Sequence, residues 1–344
     1  MKRLLIIFLS ILALFSSCDF ISSSQICHRA CLEKMVNDYL TAVIAHDPSH
    51  LTFTKDVKFT ENGQRLNLGD GLWNTASGRG KYKFYIADTT KGQVAFIGTI
   101  YENGVPTILA LRLQIWNQRI KEIESFVARD SVGTKRLEVL GSPNPVFTQT
   151  IPKNERMSRE DLIRTVNFYF TGLERNDGQG YYPFTDNCNR IENGKQTTNN
   201  PDGSIDSMGC KEQFESGFFR FVTRIRDRRF KVVDEARGLV FAFVFFDHAG
   251  NIPQVTLTDS TVVPIGVKRP WTWEIAEVFK IENEQIRQVE AVCQEAPYGM
   301  NAGWSSWEEG LSSNVLKMKG LTQEQQKFYF VNSCKICNMN PTPK

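Results

Sequence analysis

The chain has 344 residues, of which 41% are hydrophobic and 23% charged, a composition that excludes an intrinsically disordered protein. This length is enough for two domains of ordinary size. The 41 lysine and arginine residues stand against 38 aspartate and glutamate residues, which gives a formal net charge of +3. Because the balance is close to neutral, the composition points neither to a nucleic acid nor to an acidic membrane surface as a partner.

The first 18 residues have the pattern of an export signal. Lys2 and Arg3 precede an apolar run over residues 4–15, which is too short to span a bilayer. Two serines then lead to Cys18. Residues 1–18 thus resemble a bacterial lipoprotein signal peptide in which Cys18 receives the lipid, and an ordinary secretory signal is the alternative. We therefore expect a protein of the cell envelope, lipid-anchored on the periplasmic side or exported.

The remainder of the chain contains an internal repeat. The tripeptide Glu61-Asn62-Gly63 recurs as Glu192-Asn193-Gly194, and each copy follows a Phe-Thr pair at the same spacing. Other matches keep the same order in both halves: Tyr39 with Tyr169, Asp88 with Asp234, Ile120 with Ile286 and Glu124 with Glu290. Such agreement indicates two diverged copies of one unit. The predicted boundaries are 26–130 and 157–300, with a proline-containing linker at 131–156 and a tail at 301–344.

Each copy is predicted to begin with an amphipathic helix, because apolar residues recur there at helical spacing. The two stripes are Leu32, Val36, Tyr39 and Val43, then Leu162, Val166, Tyr169 and Leu173. Ser158 is placed to cap the second of these helices. Copy two shows a further helical stripe from Phe214 to Ile225, and the tail a helix over residues 322–330.

Strands are predicted after the helices in each copy. They cover 107–115 and 119–128 in the first copy, then 238–246, 271–281 and 285–294 in the second. The segment 238–246 is dense in Val and Phe, as a strand buried on both faces would be. Helices followed by an antiparallel meander indicate an α+β fold.

The cysteines agree with export, because an oxidising compartment favours disulfides. Cys188 and Cys210 bracket a polar loop and are predicted to close it. Cys293 is left over in a strand-like segment, as an inert buried thiol.

Two further cysteine pairs stand near the ends of the mature chain. Cys27 and Cys31 are predicted to join Cys334 and Cys337, which would pin the tail to the first helix. A zinc site made of the same four cysteines is the alternative.

Several stretches are similar to a little-characterised family of secreted fungal and bacterial proteins with a domain of unknown function. They are Ala45-His46-Asp47-Pro48, Thr60-Glu61-Asn62-Gly63-Gln64, residues 188–194, residues 224–230 and, less distinctly, residues 268–274. The order of elements also resembles the cone-shaped fold of nuclear transport factor two and the SnoaL-like polyketide cyclases. This resemblance implies two tandem cone-like units, each with N-terminal helices on a curved antiparallel sheet around an apolar cavity. It implies no particular activity.

Glu277 is the first candidate for chemistry. Strand alternation places it on one face with Trp271 and Trp273, which we expect to contact a ligand. A carboxylate among aromatic side chains is costly to bury unless it is paired or protonated. If this face lines the cavity, Glu277 has a raised pKa and acts as a general acid or base. If the face lies between the two copies, Glu277 pairs with an arginine and is structural.

His248, at a predicted hairpin end, is the second acid–base candidate, and an exposed turn histidine is the alternative. Arg220, Arg224 and Arg228 recur every four residues on the predicted helix of copy two. They are expected to hold an anionic group of the substrate, unless the row is a solvated face. Tyr298 is placed to donate a hydrogen bond at the cavity mouth, or else belongs to the core.

The two copies also differ at positions that bear on function. Arg190 occurs in copy two where copy one has Phe59. Such a difference is expected if one copy works and the other supports it, although drift also produces it. Glu61 and Glu192 are interpreted as turn carboxylates.

The sequence therefore predicts an envelope protein whose second copy binds a small, partly apolar or aromatic molecule. The activity expected is acid–base isomerisation, dehydration, cyclisation or carbon–carbon lysis without a cofactor or metal. A binding protein without turnover and a purely structural pair of domains are the alternatives. No nucleic acid partner is expected, and contact with a membrane is expected only through the lipid.

Overall fold

The computed structural model describes residues 27–202 and 204–312. Three sequence predictions lie outside these residues: the lipid on Cys18, the role of Cys334 and Cys337, and the helix at 322–330. Within the described ranges, no helix is both long and apolar enough to cross a membrane.

The first copy, called unit one (residues 29–128), consists of one helix and a six-stranded sheet. Its elements are α1 Arg29–Ala45, β1 Phe53–Glu61, β2 Gln64–Leu66, β3 Ala76–Asp88, β4 Gln93–Glu102, β5 Val105–Trp116 and β6 Arg119–Ala128. The order across the sheet is β2-β1-β6-β5-β4-β3. Strand β1 is parallel to β6, and all other neighbours are antiparallel.

The segment predicted as a linker contains a helix, α2, at Ser131–Leu140. Asp130 caps it by accepting a hydrogen bond from a backbone N–H of its first turn, at 2.9 Å. Leu137 packs into the apolar core that lies between the two sheets. This part of the linker is therefore a packed element, and only the proline-containing residues after it lack regular structure beyond two short 3₁₀ turns.

The second copy, called unit two (residues 159–296), repeats this plan with insertions. Its helices are α3 Arg159–Arg175 and α4 Cys210–Glu215. Its strands are β7 Phe184–Glu192, β8 Lys195–Gln196, β9 Arg224–Asp234, β10 Leu239–His248, β11 Gln254–Thr256, β12 Val262–Pro264, β13 Trp271–Glu282 and β14 Gln285–Ala296. Strands β11 and β12 form a separate ribbon between β10 and β13.

The six-stranded sheet of unit two has the order β8-β7-β14-β13-β10-β9, which matches unit one strand for strand. Strand β7 is parallel to β14, just as β1 is parallel to β6. The sheets are therefore mixed, whereas the sequence predicted antiparallel ones. In each unit the last strand of the meander lies beside the first strand of the sheet and runs parallel to it. The fold is α+β with two six-stranded sheets and the β11–β12 ribbon, and the cone-like shape stays a prediction.

The two sheets share one apolar core on the faces turned away from α1 and α3. It contains Tyr82, Phe84, Ile97, Ala110 and Phe126 of unit one with Val232, Phe241, Phe243, Ala276 and Val278 of unit two. All ten residues of β10 are buried, as predicted for a strand covered on both faces.

The helix predicted from Phe214 to Ile225 is wrong. Helix α4 ends at Glu215, a 3₁₀ turn spans Phe218–Phe221, and β9 begins three residues later. Gly217 interrupts the helix because it adopts a φ of 75°, the left-handed conformation that glycine tolerates best. The phenylalanines keep a helical spacing in sequence but do not lie on one helix.

Candidate functional site

Unit two contains a cavity of about 400 Å³ between α3, the segment carrying α4, and one face of the sheet. Its aromatic lining is Tyr169, Phe218, Phe219, Phe221 and Trp273. Its polar lining includes Arg190, Glu192, Gln213 and Glu277, with Asp130, which caps α2, and Arg136 within α2. The size is in the range of small-molecule sites.

A disulfide between Cys188 and Cys210 holds α4 against β7, as the sequence predicted, with Cα atoms 5.8 Å apart. The segment that it closes supplies Thr197, Ile205 and Asp206 to the cavity wall. The covalent bond therefore fixes one side of the site.

Cys27 bonds to Cys31, the residue one helical turn away, and not to the tail. The predicted link from these two residues to Cys334 and Cys337 is wrong, because the nearer thiols already satisfy each other. This bond also removes two ligands from the alternative zinc site. Among the described residues, no group of His, Cys, Asp and Glu is arranged to hold a metal.

Glu277 lies on the face of β13 that lines the cavity, and only 2% of it is exposed. The hydroxyl of Tyr169 donates to its Oε1 atom at 3.0 Å, while Oε2 is buried without a hydrogen-bond partner. Burial raises the pKa of Glu277 to about 8, against the smaller opposing effect of the Arg190 charge. At neutral pH most Glu277 side chains are therefore protonated.

Arg190, on β7, is a cation of the cavity lining and is 3% exposed. Its Nη2 atom donates to Glu192 at 2.9 Å, and the guanidinium carbon lies 5.0 Å from the centre of the Phe219 ring. The Nε and Nη1 atoms are buried without an acceptor. Burial alone lowers the pKa of Arg190, but Tyr169 and nearby carboxyl groups raise it overall, so the side chain stays charged.

Gln213, in α4, was not singled out by the sequence. It is 1% exposed, and its Nε2 atom donates to the carbonyl oxygens of Thr197 at 2.6 Å and Ile205 at 2.9 Å. Its Oε1 atom is buried without a donor. The sequence pattern could not indicate this residue, because its environment is formed by two backbone carbonyl groups that come close to it only in the folded chain.

Strand register shows how unit two differs from unit one at this site. The matched rows across the sheets are Glu61, Ser125, Leu111 and Phe96 in unit one and Glu192, Ala291, Glu277 and Ala242 in unit two. Arg190 occupies the position of Phe59. Phe59 pairs with Ile123 and Arg190 pairs with Val289, and each of these partners lies two residues before the row, at Ser125 or Ala291. Leucine and phenylalanine side chains thus fill space in unit one where unit two has a carboxyl group, a guanidinium and alanine.

Neither Glu61 nor Glu192 is a freely solvated turn carboxylate. Glu61 is buried at the end of β1 and accepts a hydrogen bond from the backbone N–H of Leu72 at 2.8 Å. Burial raises the pKa of Glu61. Glu192 is half-buried, pairs with Arg190 and lines the cavity.

His248 does not line the cavity, and it is the last residue of β10 and not part of a turn as predicted. Its ring is buried and stacks on Trp271, with centroids 3.8 Å apart and planes 6° from parallel. Burial lowers its pKa to about 4. Of the two tryptophans predicted to contact a ligand, Trp271 and Trp273, only Trp273 lines the cavity.

The predicted row of arginines does not form a clamp, because these residues do not share a helix. Arg220 donates to the backbone carbonyls of Asn176 and Thr256, both at 3.1 Å. Arg224 and Arg228 lie on β9, and Arg224 pairs with Asp247 at 2.6 Å. None of the three lines the cavity.

Tyr298 is also absent from the cavity lining and is 45% exposed beyond β14. It belongs neither to the cavity mouth nor to the core. Arg190 lines the cavity, whereas Arg220 and Arg224 do not.

A family model described as a domain of unknown function (DUF8021) matches residues 155–293, which comprise most of unit two. This agrees with the resemblance to a family of unknown function, although the match does not extend to unit one. No curated protein matches the chain in sequence.

Two solved structures are similar over part of the chain. The crystal structure of AclR, a putative hydroxylase from Streptomyces galilaeus, is 14% identical with a TM-score of 0.27, over 40% of this chain and 91% of that chain. A de novo designed protein with a curved beta-sheet is 16% identical with a TM-score of 0.22, over 40% of this chain and 88% of that chain. Likenesses at this level say nothing about activity.

Proposed function

We propose that unit two binds a small, partly apolar or aromatic carbonyl compound and catalyses proton transfer on it without a cofactor, with Glu277 as the acid–base group. The observation that carries this proposal is that Oε2 of Glu277 and two nitrogens of Arg190 are buried without partners, on side chains that line the same cavity. Buried polar atoms without partners are rare in folded proteins, and a ligand in the cavity would satisfy them.

The reaction class follows from the two groups. Ionised Glu277 removes a proton from the carbon next to the carbonyl, and the electrons of that C–H bond move to the carbonyl oxygen. Arg190 donates hydrogen bonds to the resulting enolate oxygen, where the negative charge develops. Glu277 then returns the proton. Isomerisation, dehydration and carbon–carbon lysis can all proceed through such an enolate.

The raised pKa of Glu277 suits this role. At about 8 it makes the ionised side chain a stronger base than an ordinary glutamate, while roughly one side chain in ten is ionised at pH 7. Tyr169 acts as a positioning residue, because its hydrogen bond to Oε1 leaves Oε2 for the substrate.

Exchange of carbon-bound protons tests the proposal without knowledge of the natural substrate. Cyclic ketones such as 1-tetralone are incubated with the protein in D₂O, and the signal of the protons next to the carbonyl is followed by NMR. We expect exchange to be faster than in buffer alone, to reach half its maximum near pH 8 and to level off above about pH 9, because the base must be ionised.

The chain offers a matched control for Glu277. Glu274 lies on the opposite face of the same strand, outside the cavity lining, and burial also raises its pKa to about 8. Glu277→Gln should lower exchange at least about 100-fold, in line with the loss of a general base, while Glu274→Gln should retain it. Equal rates for wild type and folded Glu277→Gln would overturn the proposal.

Binding without turnover is the second candidate function. It is favoured by the protonated state of Glu277 at neutral pH, in which the side chain is a hydrogen-bond donor. Ketones that bind in the cavity without exchanging their protons would support this alternative.

We further propose that the mature protein is exported and lipid-anchored through Cys18, on the basis of the sequence pattern at residues 1–18. Mass spectrometry of the native protein would test this. The expected mass corresponds to cleavage before Cys18 with a diacylglyceryl group on its sulfur, and an unmodified cysteine would overturn the anchor.

A further inference from the structure

We infer that the carbonyl compound bound by unit two also carries a hydroxyl group that donates to Oε1 of Gln213, so that the substrate class is a hydroxylated cyclic or aromatic ketone. This inference rests on the proposed function for the place of the carbonyl group. In addition to Arg190, which donates to the carbonyl oxygen, the ligand would have a second polar contact in Gln213, which accepts from the hydroxyl group.

The orientation of the Gln213 amide is fixed by its surroundings. Its Nε2 atom lies against two backbone carbonyl oxygens, those of Thr197 and Ile205. The reversed amide would place Oε1 against the same two acceptors, which is unfavourable. Oε1 is therefore the free end, and it can only accept a hydrogen bond. Because the side chain is 1% exposed, bulk water does not satisfy this atom.

Gln213 and Arg190 belong to one wall of the cavity. The carbonyl of Thr197 accepts from Gln213, and the N–H of Thr197 donates to the carbonyl of Arg190 at 2.9 Å. Two side chains of this wall thus carry buried atoms without partners, one acceptor (Oε1 of Gln213) and two donors (Nε and Nη1 of Arg190). A complementary molecule must offer both a donor and an acceptor, as a hydroxyl and a carbonyl group do.

The charges of the cavity favour an uncharged molecule over a carboxylic acid. Arg190 already pairs with Glu192, and Lys195 pairs with Asp206. Arg136 and Asp130 also line the cavity and balance each other in charge. A carboxylate ligand would add one uncompensated negative charge, which is costly in a site of low polarity.

The remaining surface fits the body of such a molecule. The rings of Phe219, Phe221 and Trp273 line the cavity together with Ile275. Aromatic and aliphatic walls of this kind bind flat apolar rings, and about 400 Å³ admits a two-ring compound.

The test compares 1-tetralone with its hydroxylated regioisomers by calorimetric titration of the full protein. We expect at least one hydroxy-1-tetralone to bind about 10- to 100-fold more tightly than 1-tetralone, because only it satisfies the buried acceptor. If every hydroxylated isomer binds no more tightly than 1-tetralone, the inference is overturned.

A substitution assigns the preference to Gln213. Gln213→Lys keeps a donor toward the two backbone carbonyls but removes the acceptor. It should abolish the preference, so that the hydroxylated isomer binds no more tightly than 1-tetralone to the same variant, and a preference that survives would overturn the inference. If the variant no longer binds 1-tetralone, the wild-type comparison decides by itself.

The two proposals fail in different ways. Ketones that bind and exchange their protons without any preference for a hydroxyl group would overturn the inference and leave the proposed function standing. If no ketone in the series binds or exchanges, the proposed function fails, and the inference fails with it.

Discussion

Leu111 and Glu277 occupy the same position in the two sheets of the protein. Each lies in the strand next to the last strand of its unit, and the residues paired with them are Phe96 and Ser125 in one case and Ala242 and Ala291 in the other. Unit one fills this position with apolar side chains, whereas unit two keeps an ionisable group and open space. Duplication thus accounts for the shared topology, and these substitutions together with the segment carrying α4 account for the cavity.

The burial of Glu277 should make stability depend on pH. Its pKa is about 8 in the folded protein and about 4.5 when exposed, so the unfolded chain loses the proton first as pH rises. We expect this residue to lower the free energy of unfolding by up to about 1.4 kcal/mol per pH unit between about pH 4.5 and 8. In urea denaturation Glu277→Gln should show a flatter pH dependence than wild type.

Glu274→Gln provides an internal check of this prediction. Burial raises the pKa of Glu274 to about 8 as well, so the double variant should be flatter than either single variant. An unchanged slope for Glu277→Gln would mean that this carboxyl group is solvated and that the cavity is not as described.

Local patterns predicted the main elements of the fold. The hydroxyl of Ser158 accepts from the backbone N–H of Asp161 at 3.1 Å, as the cap signal indicated. The strand predicted over 119–128 has those bounds in the structure. Helix caps and strand periodicity depend on residues that are close together in the sequence, and the sequence therefore predicts them well.

The site could be predicted only in part, because its geometry depends on residues far apart in sequence. Glu277 was singled out since a carboxylate in an aromatic strand is unusual, and it does line the cavity. The prediction that Arg220 and Arg224 hold an anionic group of the substrate is wrong for this cavity, because Gly217 interrupts the predicted helix and neither residue lines the cavity. Gln213 could not be recognised, since its free oxygen follows from two hydrogen bonds made in the folded state.

The disulfide between Cys188 and Cys210 should support both stability and the site. It closes a loop of 22 residues in sequence, for which loop entropy predicts a stabilisation of about 3 kcal/mol. The double variant Cys188→Ala/Cys210→Ala should lose about this amount in urea denaturation and bind ketones more weakly, because the segment carrying Gln213 is released.

The other disulfide offers a control. Cys27 and Cys31 are only 4 residues apart, so the same model predicts about 2 kcal/mol, and this bond lies at the N-terminal end of α1, outside the cavity lining. Replacing both with alanine should leave ketone binding unchanged. Weaker binding in this control would show that the site depends on global stability and not on the Cys188–Cys210 bond.

Contact between the units should depend on Tyr82 and Glu290. The hydroxyl of Tyr82 in unit one donates to Oε1 and Oε2 of Glu290 in unit two at 2.7 and 2.8 Å, and both residues are buried. Tyr82→Phe leaves this carboxyl group without its donor, which should lower the free energy of unfolding by about 1–3 kcal/mol. Chemical denaturation of the full protein measures this loss.

Tyr85 on the same strand is the matched control for Tyr82. Its hydroxyl donates to Asn37 within unit one at 2.9 Å and is only half-buried. Tyr85→Phe should cost no more than about 0.5–1.5 kcal/mol, as expected for an ordinary hydrogen bond. If the two variants lose the same free energy of unfolding, the hydrogen bond between Tyr82 and Glu290 stabilises the protein no more than an ordinary hydrogen bond within unit one.

His248 should limit stability in acid rather than take part in catalysis. Its two ring nitrogens are buried without a hydrogen-bond partner, and burial lowers its pKa to about 4 from the ordinary 6.5. As pH falls, the unfolded chain therefore takes up a proton before the folded protein does, and the free energy of unfolding decreases between about pH 6.5 and 4.

His248→Phe keeps an aromatic ring against Trp271 and removes this titration. The variant should become more stable relative to wild type as pH falls through this range, by up to about 1.4 kcal/mol per pH unit, and should retain ketone proton exchange. A loss of exchange in the folded variant would return His248 to the catalytic machinery, and a constant stability difference between pH 6.5 and 4 would show that its ring is protonated alike in both states.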